Sequence, residues 1–194
     1  TLPYIEYEAE EGATTGAIVG PTRAFGQVAA EASGRRFVRL NATGQYVEFT
    51  AAEAANSIVI RHNIPDDPSG GGIVASISLY VNGAHRQDIM LSSRQAWLYG
   101  GETGYSNDPA TGSPHRFFDE NRALVGDIPA GATVRLQKDT GDVAAYYNID
   151  LIDLEQVAEP LTMPADFVSI TDYGATPDDG TDDNNAIYDA IHAL

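Results

Sequence analysis

Short segments of alternating apolar and polar residues follow one another through the first 157 residues, with turn residues between them. Residues 4–10 alternate with a period of two, and residues 46–49, 57–61 and 73–81 are rich in β-branched and aromatic side chains. None of these segments repeats at the 3.6-residue period of a helix. Many short strands joined by glycine- and proline-rich turns predict an all-β fold, an antiparallel β-sandwich of the jelly-roll kind.

Turn signals mark where strands end. Asn82-Gly83 directly follows the strand over residues 73–81 and favours a type I′ hairpin, because both positions tolerate positive φ. Residues 146–154 form a long final strand. Between these strands, residues 100–114 hold four glycines and two prolines. A loop of this length inside a compact domain is often functional.

The character of the chain changes after residue 157. Residues 158–166 contain two prolines and predict a linker between a first domain, residues 1–157, and a second region, residues 167–194. Residues 167–170 predict a short strand, and a helix follows for which Thr181 or Asp182 can be the N-cap. One face of that helix is apolar: Ala186, Ile187, Ala190, Ile191 and Leu194. Because this face has no partner in the chain, we expect a larger protein.

Charge and composition exclude several functions. The net charge is −17, from 28 acidic and 11 basic residues, which disfavours nucleic acid, anionic membranes and polyanionic ligands. A neutral polysaccharide or a cation fits better. There is no cysteine, so disulfides and thiolate metal sites are excluded. The chain opens on Thr1-Leu2-Pro3 without a signal peptide, which we interpret as a mature or excised piece.

Three glutamates near the N-terminus predict a cation site. Glu6, Glu8 and Glu10 lie two residues apart on the first predicted strand, which would project them from one face. Calcium prefers six to eight hard oxygen ligands and would relieve their mutual repulsion. The alternative interpretation is a solvated strand face.

Three short motifs carry a family resemblance. Tyr7-Glu8-Ala9-Glu10, residues 31–34 (Glu-Ala-Ser-Gly) and Asn148-Ile149-Asp150 together resemble carbohydrate-binding module families 6, 35 and 36, which are β-sandwiches with a structural calcium. The resemblance implies that Glu8, Glu10 and Asp150 ligate calcium, completed by a backbone carbonyl within residues 33–36. Glu6 falls outside the pattern.

The same resemblance implies a sugar site. In those families an aromatic side chain stacks on the sugar and an asparagine opens the last strand, positions that correspond to Trp97 and Asn148. Neighbouring side chains that could contribute are Tyr99, Tyr146, His115 and Arg116. The alternative for Trp97, the only tryptophan, is a place in the core.

A second resemblance covers the end of the chain. Residues 171–175, 179–183 and 186–191 look like the opening of pectate-lyase-like parallel β-helix enzymes, in which a short strand and a helix cap the solenoid. This implies that the acidic residues here are structural, and that catalytic residues lie on later coils outside this chain. The order of the two regions resembles the N-terminal part of α-1,3-glucanases and mycodextranases of glycoside hydrolase family 87.

These observations lead to one preferred function and two alternatives. We expect a non-catalytic, calcium-stabilised glucan-binding module of a secreted polysaccharide-degrading enzyme, attached to its C-terminal β-helix domain. Alternatively, residues 1–157 pack against the β-helix and shape its active cleft without binding sugar. The parent enzyme could also be a β-1,3-glucanase or a polysaccharide lyase.

Overall fold

The computed structural model of the protein describes residues 3–98, 109–110, 114–177 and 179–194. The chain divides into two compact units, Thr1–Val157 and Ala158–Leu194. Tyr99 and most of the predicted loop over residues 100–114 lie outside the described residues.

The regular secondary structure of the first unit consists of strands and a few short 3-10 helices. In chain order, the strands that the structure describes are β1 Tyr4–Glu8, β2 Ala13–Thr14, β3 Ala17–Val19, β4 Phe37–Leu40, β5 Tyr46–Thr50, β6 Ala55–Asn63, β7 Val74–Val81, β8 Ala84–Ser92, β9 Trp97–Leu98, β10 His115–Arg116, β11 Asp119–Ile128, β12 Thr133–Gln137 and β13 Tyr147–Glu155. Its short 3-10 helices are Ala9–Glu11, Val28–Ala30 and Ser33–Arg35.

Two antiparallel sheets contain most of these strands. The first has the order β11-β6-β13-β4-β3, and β1 also pairs with β13. The second has the order β2-β5-β12-β7-β8, and β9 pairs with β10 alone. Every described strand pair is antiparallel, which confirms the prediction of an all-β, antiparallel fold.

One hydrophobic core joins the two sheets. Alternate residues of the long strands are buried in it, for example Ile58 and Ile60 of the first sheet and Val134 and Leu136 of the second. Period-two alternation produces this because successive strand residues point to opposite faces. A smaller cluster lies outside the main core and consists of Ala29, Ala32 and Phe37.

Strand β1 is shorter than the sequence predicts. It ends at Glu8, and Ala9–Glu11 forms a 3-10 turn, so the prediction that three glutamates project from one strand face is wrong. β1 ends at Glu8 because its pairing with β13 stops there. The alternation of residues in the sequence does not indicate where such pairing stops. The Asn82-Gly83 turn is confirmed, since both residues have positive φ, 52° and 78°.

The second unit contains one helix, α1 Asn184–His192. The strand predicted over residues 167–170 is wrong, because no described strand lies beside it to complete its hydrogen bonds; a 3-10 helix, Ile170–Tyr173, forms instead. Ala186 and Ala190 of α1 are buried. The larger apolar side chains of α1 and of the residues that follow it are exposed: Ile187, Ile191 and Leu194. Within the described residues, no helix has the length and apolar character needed to cross a membrane.

We expect two adjacent glycines to respond differently to substitution. Gly71 and Gly72 both have positive φ, 89° and 77°, but a Cβ on Gly72 would lie 2.5 Å from the backbone of Arg94, while one on Gly71 would meet nothing within 4 Å. Gly72→Ala should therefore lower the free energy of unfolding by at least about 2 kcal/mol, and Gly71→Ala by about 1 kcal/mol. Urea unfolding of both variants measures this, and equal losses would contradict the described contact.

Candidate functional site

Three carboxylates from distant parts of the sequence lie near one another where the pairing of β13 passes from β4 to β1. Glu8 ends β1, Glu10 lies in the following turn, and Asp150 lies on β13. Pairing of β1 with β13 places Glu8 opposite Leu151, one residue from Asp150. The structure thus brings together the three predicted calcium ligands, although Glu10 reaches the cluster from a turn and not from the strand.

The 3-10 helix Ser33–Arg35 lies against these carboxylates. The backbone N–H of Ser33 donates to both carboxylate oxygens of Asp150, at 3.0 and 3.1 Å, and its hydroxyl donates to Glu8. Gly34 has a φ of 54°, and a Cβ there would lie 3.2 Å from Oε1 of Glu10. The segment predicted to supply a backbone ligand is therefore adjacent to the cluster.

Two arginines partly neutralise the cluster. The Arg61 guanidinium donates to Asp150 and, at 3.1 Å, to the backbone carbonyl of Glu31. Arg36 Nε lies 3.4 Å from Oε1 of Glu10. Three carboxylates thus face two guanidinium groups, which leaves an excess of negative charge in a largely buried region.

The electrostatics of the cluster favour a cation. Burial raises the pKa of the Asp150 carboxyl to about 7; its bonds from Ser33 and Arg61 oppose this, and the charges of Glu8 and Glu10 add to it. The Oε2 atoms of Glu8 and Glu10 are buried without a hydrogen-bond partner. Within the described residues no group of three or more acidic or histidine side chains is arranged to hold a metal ion, and the Arg61 guanidinium donates to Asp150. The donors are nonetheless the hard oxygens that calcium prefers.

Of the predicted sugar residues, Arg116 lines a cleft on the same unit, and Trp97 contacts Arg116. Trp97 and Arg116 are partners in the β9–β10 pair, and the Arg116 guanidinium lies 5.0 Å from the centroid of the Trp97 ring. Trp97 is partly buried, outside the main core. A cation held against an indole face is a favourable contact that also keeps the ring in place.

Asn148 is fully buried, and its amide makes hydrogen bonds to two other side chains. Its oxygen accepts from Arg39 Nε at 2.8 Å, and its nitrogen donates to Asn63 at 3.1 Å. Arg39 in turn lies 5.0 Å from the centroid of the Tyr146 ring. The geometry therefore assigns Asn148 to holding Arg39, which itself lines the cleft.

His115 connects the cleft to exposed aromatic surface. Its ring stacks on Phe117 at 5.1 Å and lies 5.0 Å from the ring of Phe25, a side chain that is 92% exposed. The cleft holds about 410 Å³ and is lined by polar and apolar groups that include Gln27, Phe37, Arg39 and Arg116. Phe25, Gln27 and Arg39 were not predicted, because their segments carry no motif that marks a site.

Glu31 joins the two regions. Its carboxylate lies 3.5 Å from Nε2 of His115 beside the cleft, and its backbone carbonyl accepts from Arg61, which also holds Asp150. The carboxylate cluster and the cleft beside Arg116 are therefore joined by one network of polar contacts.

Glu6 belongs to a different acidic group. It pairs in register with Asp153 and lines a cleft of about 320 Å³ together with Glu120, Arg122 and Glu155. Burial, together with the negative charges of Glu6, Glu120 and Glu155, raises the pKa of Asp153 to about 6. Oδ1 of Asp153 is buried without a hydrogen-bond partner.

The family of the chain follows from comparison with known proteins. Residues 1–157 match the family described as alpha-1,3-glucanase catalytic domain D1. The chain belongs to this family. No curated protein sequence matches it.

Crystal structures of related catalytic domains agree with this assignment. The Agl-KA catalytic domain is 32% identical, with a TM-score of 0.86 over 100% of this chain and 34% of that chain. The catalytic unit of a thermostable family 87 α-1,3-glucanase from Streptomyces thermodiastaticus strain HF3-3 is 37% identical, with a TM-score of 0.79 over 100% of this chain and 33% of that chain. A family 87 α-1,3-glucanase catalytic domain in complex with nigerose is 32% identical, with a TM-score of 0.75 over 84% of this chain and 30% of that chain.

These findings correct the predicted function. The chain spans about a third of the length of the structures it matches. The predicted link to glycoside hydrolase family 87 is confirmed, but the prediction of a non-catalytic binding module is wrong, because D1 is described as part of the catalytic domain. The sequence pattern was misleading because a β-sandwich with paired carboxylates and exposed aromatics looks the same whether it acts alone or within a larger catalytic unit.

We expect Asp153→Asn to change stability in a pH-dependent way. The pKa of Asp153 is about 6 in the folded state, above the ordinary value of 3.8. The folded state therefore favours the protonated carboxyl, and the free energy of unfolding decreases as pH rises from about 4 to 6. The neutral amide should raise the free energy of unfolding at pH 8 by about 1 kcal/mol and leave it unchanged at pH 4. Urea unfolding at both pH values tests this. His62, whose pKa is lowered by burial, titrates in both proteins and cancels in the difference; equal stability of the two proteins at pH 8 would refute the expectation.

Proposed function

We propose that this chain is the D1 portion of a secreted α-1,3-glucanase and works as part of its catalytic domain. The observation that carries the proposal is the match of residues 1–157 to D1, together with likeness over the whole chain to two family 87 catalytic domains. A related catalytic domain was crystallised with nigerose, which supports an α-1,3-linked glucan as substrate. The partly neutralised, acidic surface suits a neutral polymer better than an anionic one.

In this proposal the second unit begins a parallel β-helix that continues in the rest of the catalytic domain. The exposed apolar residues Ile187 and Ile191 of α1, and Leu194 just after it, support this, since an exposed apolar helix face favours cover by another element. The relatives are about three times longer than this chain, so their remaining residues can supply that cover.

Within the catalytic domain, we assign Trp97 and Arg116 to substrate contact. The indole offers a flat apolar face to a sugar ring, and the guanidinium can donate to its hydroxyls. His115 and Tyr146 flank the cleft, while Asn148 positions Arg39. The predicted contact by Tyr99 stays a prediction, since that residue lies outside the described part of the chain.

Activity of the full natural protein that contains this sequence tests the proposal. It should release nigerose and longer oligosaccharides from α-1,3-glucan, and neither β-1,3-glucan nor pectate should be cleaved. Trp97→Ala should lower kcat/KM on α-1,3-glucan by about tenfold while the Tm changes by only a few degrees, since loss of one stacking contact costs about 1.4 kcal/mol. Cleavage of β-1,3-glucan or pectate in place of α-1,3-glucan would reject the proposal in favour of another polysaccharide-degrading activity.

We also propose that the carboxylate cluster binds calcium through Glu8, Glu10 and Asp150. The buried, unpartnered Oε2 atoms of the two glutamates support this. The raised pKa of Asp150 agrees with it, because burial raises that pKa and the charges of Glu8 and Glu10 add to the effect. A bound cation would neutralise the cluster and tie the first strand to the last. Ser33–Arg35 lies close enough to contribute oxygen.

Thermal unfolding in chelator and in calcium tests this second proposal. At a calcium concentration a hundred times Kd, the folded state gains about 2.7 kcal/mol, which corresponds to an increase in Tm of about 5 to 10 °C. Magnesium should have little effect, because it tolerates irregular oxygen sites poorly. Glu10→Gln should abolish most of the calcium effect.

Glu6→Gln is the matched control. Glu6 lies on the same strand as Glu8 but belongs to the group around Asp153, so this variant should keep the full response to calcium. Identical melting curves of the wild type in chelator and in calcium would show that Arg36 and Arg61 alone neutralise the cluster.

A further inference from the structure

The outer face of the second sheet carries an ordered array of aromatic and polar side chains. On β5, β12 and β7 the core-facing residues are buried, and the residues between them point outward. Six of these outward or adjoining residues define what we call the tyrosine face: Tyr46, Glu48, Tyr80, Arg135, Gln137 and Asp139. All six are half-buried, so their side chains lie along the sheet and leave part of each surface open to solvent.

Register places these side chains in two cross-strand rows. Gln137 pairs with Tyr46 on one side and with Ser78 on the other. Arg135 pairs with Glu48 and Tyr80 in the same way. The two tyrosines are therefore two strands and two residues apart, a diagonal separation of about 12 Å from strand and residue spacings.

Hydrogen bonds connect five of the six side chains, and a cation–π contact with Arg135 holds the sixth, Tyr46. Arg135 donates to Glu48 at 2.8 Å and to Gln137 at 3.4 Å. Gln137 donates to Asp139 at 2.6 Å, and Asp139 accepts from the hydroxyl of Tyr80. The Arg135 guanidinium also lies 3.9 Å from the centroid of the Tyr46 ring. Each side chain is held by a neighbour, so little conformational entropy remains to be lost when a ligand binds.

The chemistry of this face selects its ligand. Both ends of the array have an aromatic ring, and the carboxylates between them are already bonded to a guanidinium, an amide or a hydroxyl. Such a surface lacks the free positive charge that an anionic polymer needs. Aromatic rings stack on the C–H faces of sugars, and planar donors and acceptors bond to sugar hydroxyls. This face offers both, as binding of a neutral sugar polymer requires.

We propose that the tyrosine face is a second glucan-contact surface, which holds insoluble α-1,3-glucan while the substrate is processed elsewhere in the catalytic domain. It shares none of its six residues with the cleft around Trp97 and Arg116. The choice of α-1,3-glucan rests on the proposed function, whereas the affinity for a neutral glucan rests on the face itself. Contact over a broad sheet face suits the surface of an aggregated polymer, and holding it there raises the effective concentration of substrate.

Depletion of the 194-residue chain from solution by insoluble α-1,3-glucan tests the proposal. The double variant Tyr46→Ala and Tyr80→Ala should bind about tenfold or more weakly, because it loses two stacking contacts. Tyr46→Phe keeps the aromatic ring and removes only the hydroxyl, so it should bind within about twofold of the wild type. Comparison of this variant with the double variant separates the effect of the rings from that of the hydroxyl. Tyr188→Ala, which removes an exposed tyrosine from α1, is the matched control and should bind like the wild type.

A measurement on the wild type covers the case in which the double variant does not fold. On titration with soluble α-1,3-linked gluco-oligosaccharides, backbone amide signals of β5, β12 and β7 should shift together with those near Trp97. Wild-type-like binding by a folded double variant, or shifts confined to the Trp97 cleft, would overturn the proposal. These outcomes would leave the proposed function intact, since hydrolysis of α-1,3-glucan by the full natural protein is measured separately.

Discussion

The pairing of β13 with its neighbours is the interaction on which the rest of this structure depends. One half of β13 pairs with β4 and the other half with β1, while β6 runs along its opposite edge. Asp150, at the point where one partner gives way to the other, is therefore buried beside the end of β1. The last strand of this unit therefore lies inside the sheet and places Asp150 beside Glu8 and Glu10, with Arg61 and Arg36 as their cationic partners.

The same arrangement connects that charge to the sugar cleft. Arg61 neutralises Asp150 and holds the backbone of Glu31, whose carboxylate faces His115. The carboxylate cluster and the cleft beside Arg116 therefore share a short chain of polar contacts that runs through Arg61 and Glu31.

Much of this architecture was predictable from sequence, because strands and turns leave local signals. The alternation of apolar residues predicted the sheets, and Asn82-Gly83 predicted its hairpin. The convergence of Glu8, Glu10 and Asp150 was predicted from a resemblance, although the end of β1 at Glu8 was not, since it depends on where pairing with β13 stops. The roles of Arg61, Arg39 and Phe25 could not be predicted, because contacts between residues far apart in sequence leave no local pattern. A role within the catalytic unit could be raised only as an alternative, because it concerns residues outside the matched stretch.

The central claim is that residues 1–157 act as part of a catalytic domain. The most direct test is to delete them from the full natural protein and measure kcat/KM on a soluble α-1,3-linked tetrasaccharide, a substrate too small to benefit from a separate anchoring module. We predict that activity falls by at least about a hundredfold, since an incomplete catalytic domain loses both its packing and its positioning contacts. A truncated enzyme that keeps full activity on this substrate and loses only activity on insoluble glucan would contradict the claim.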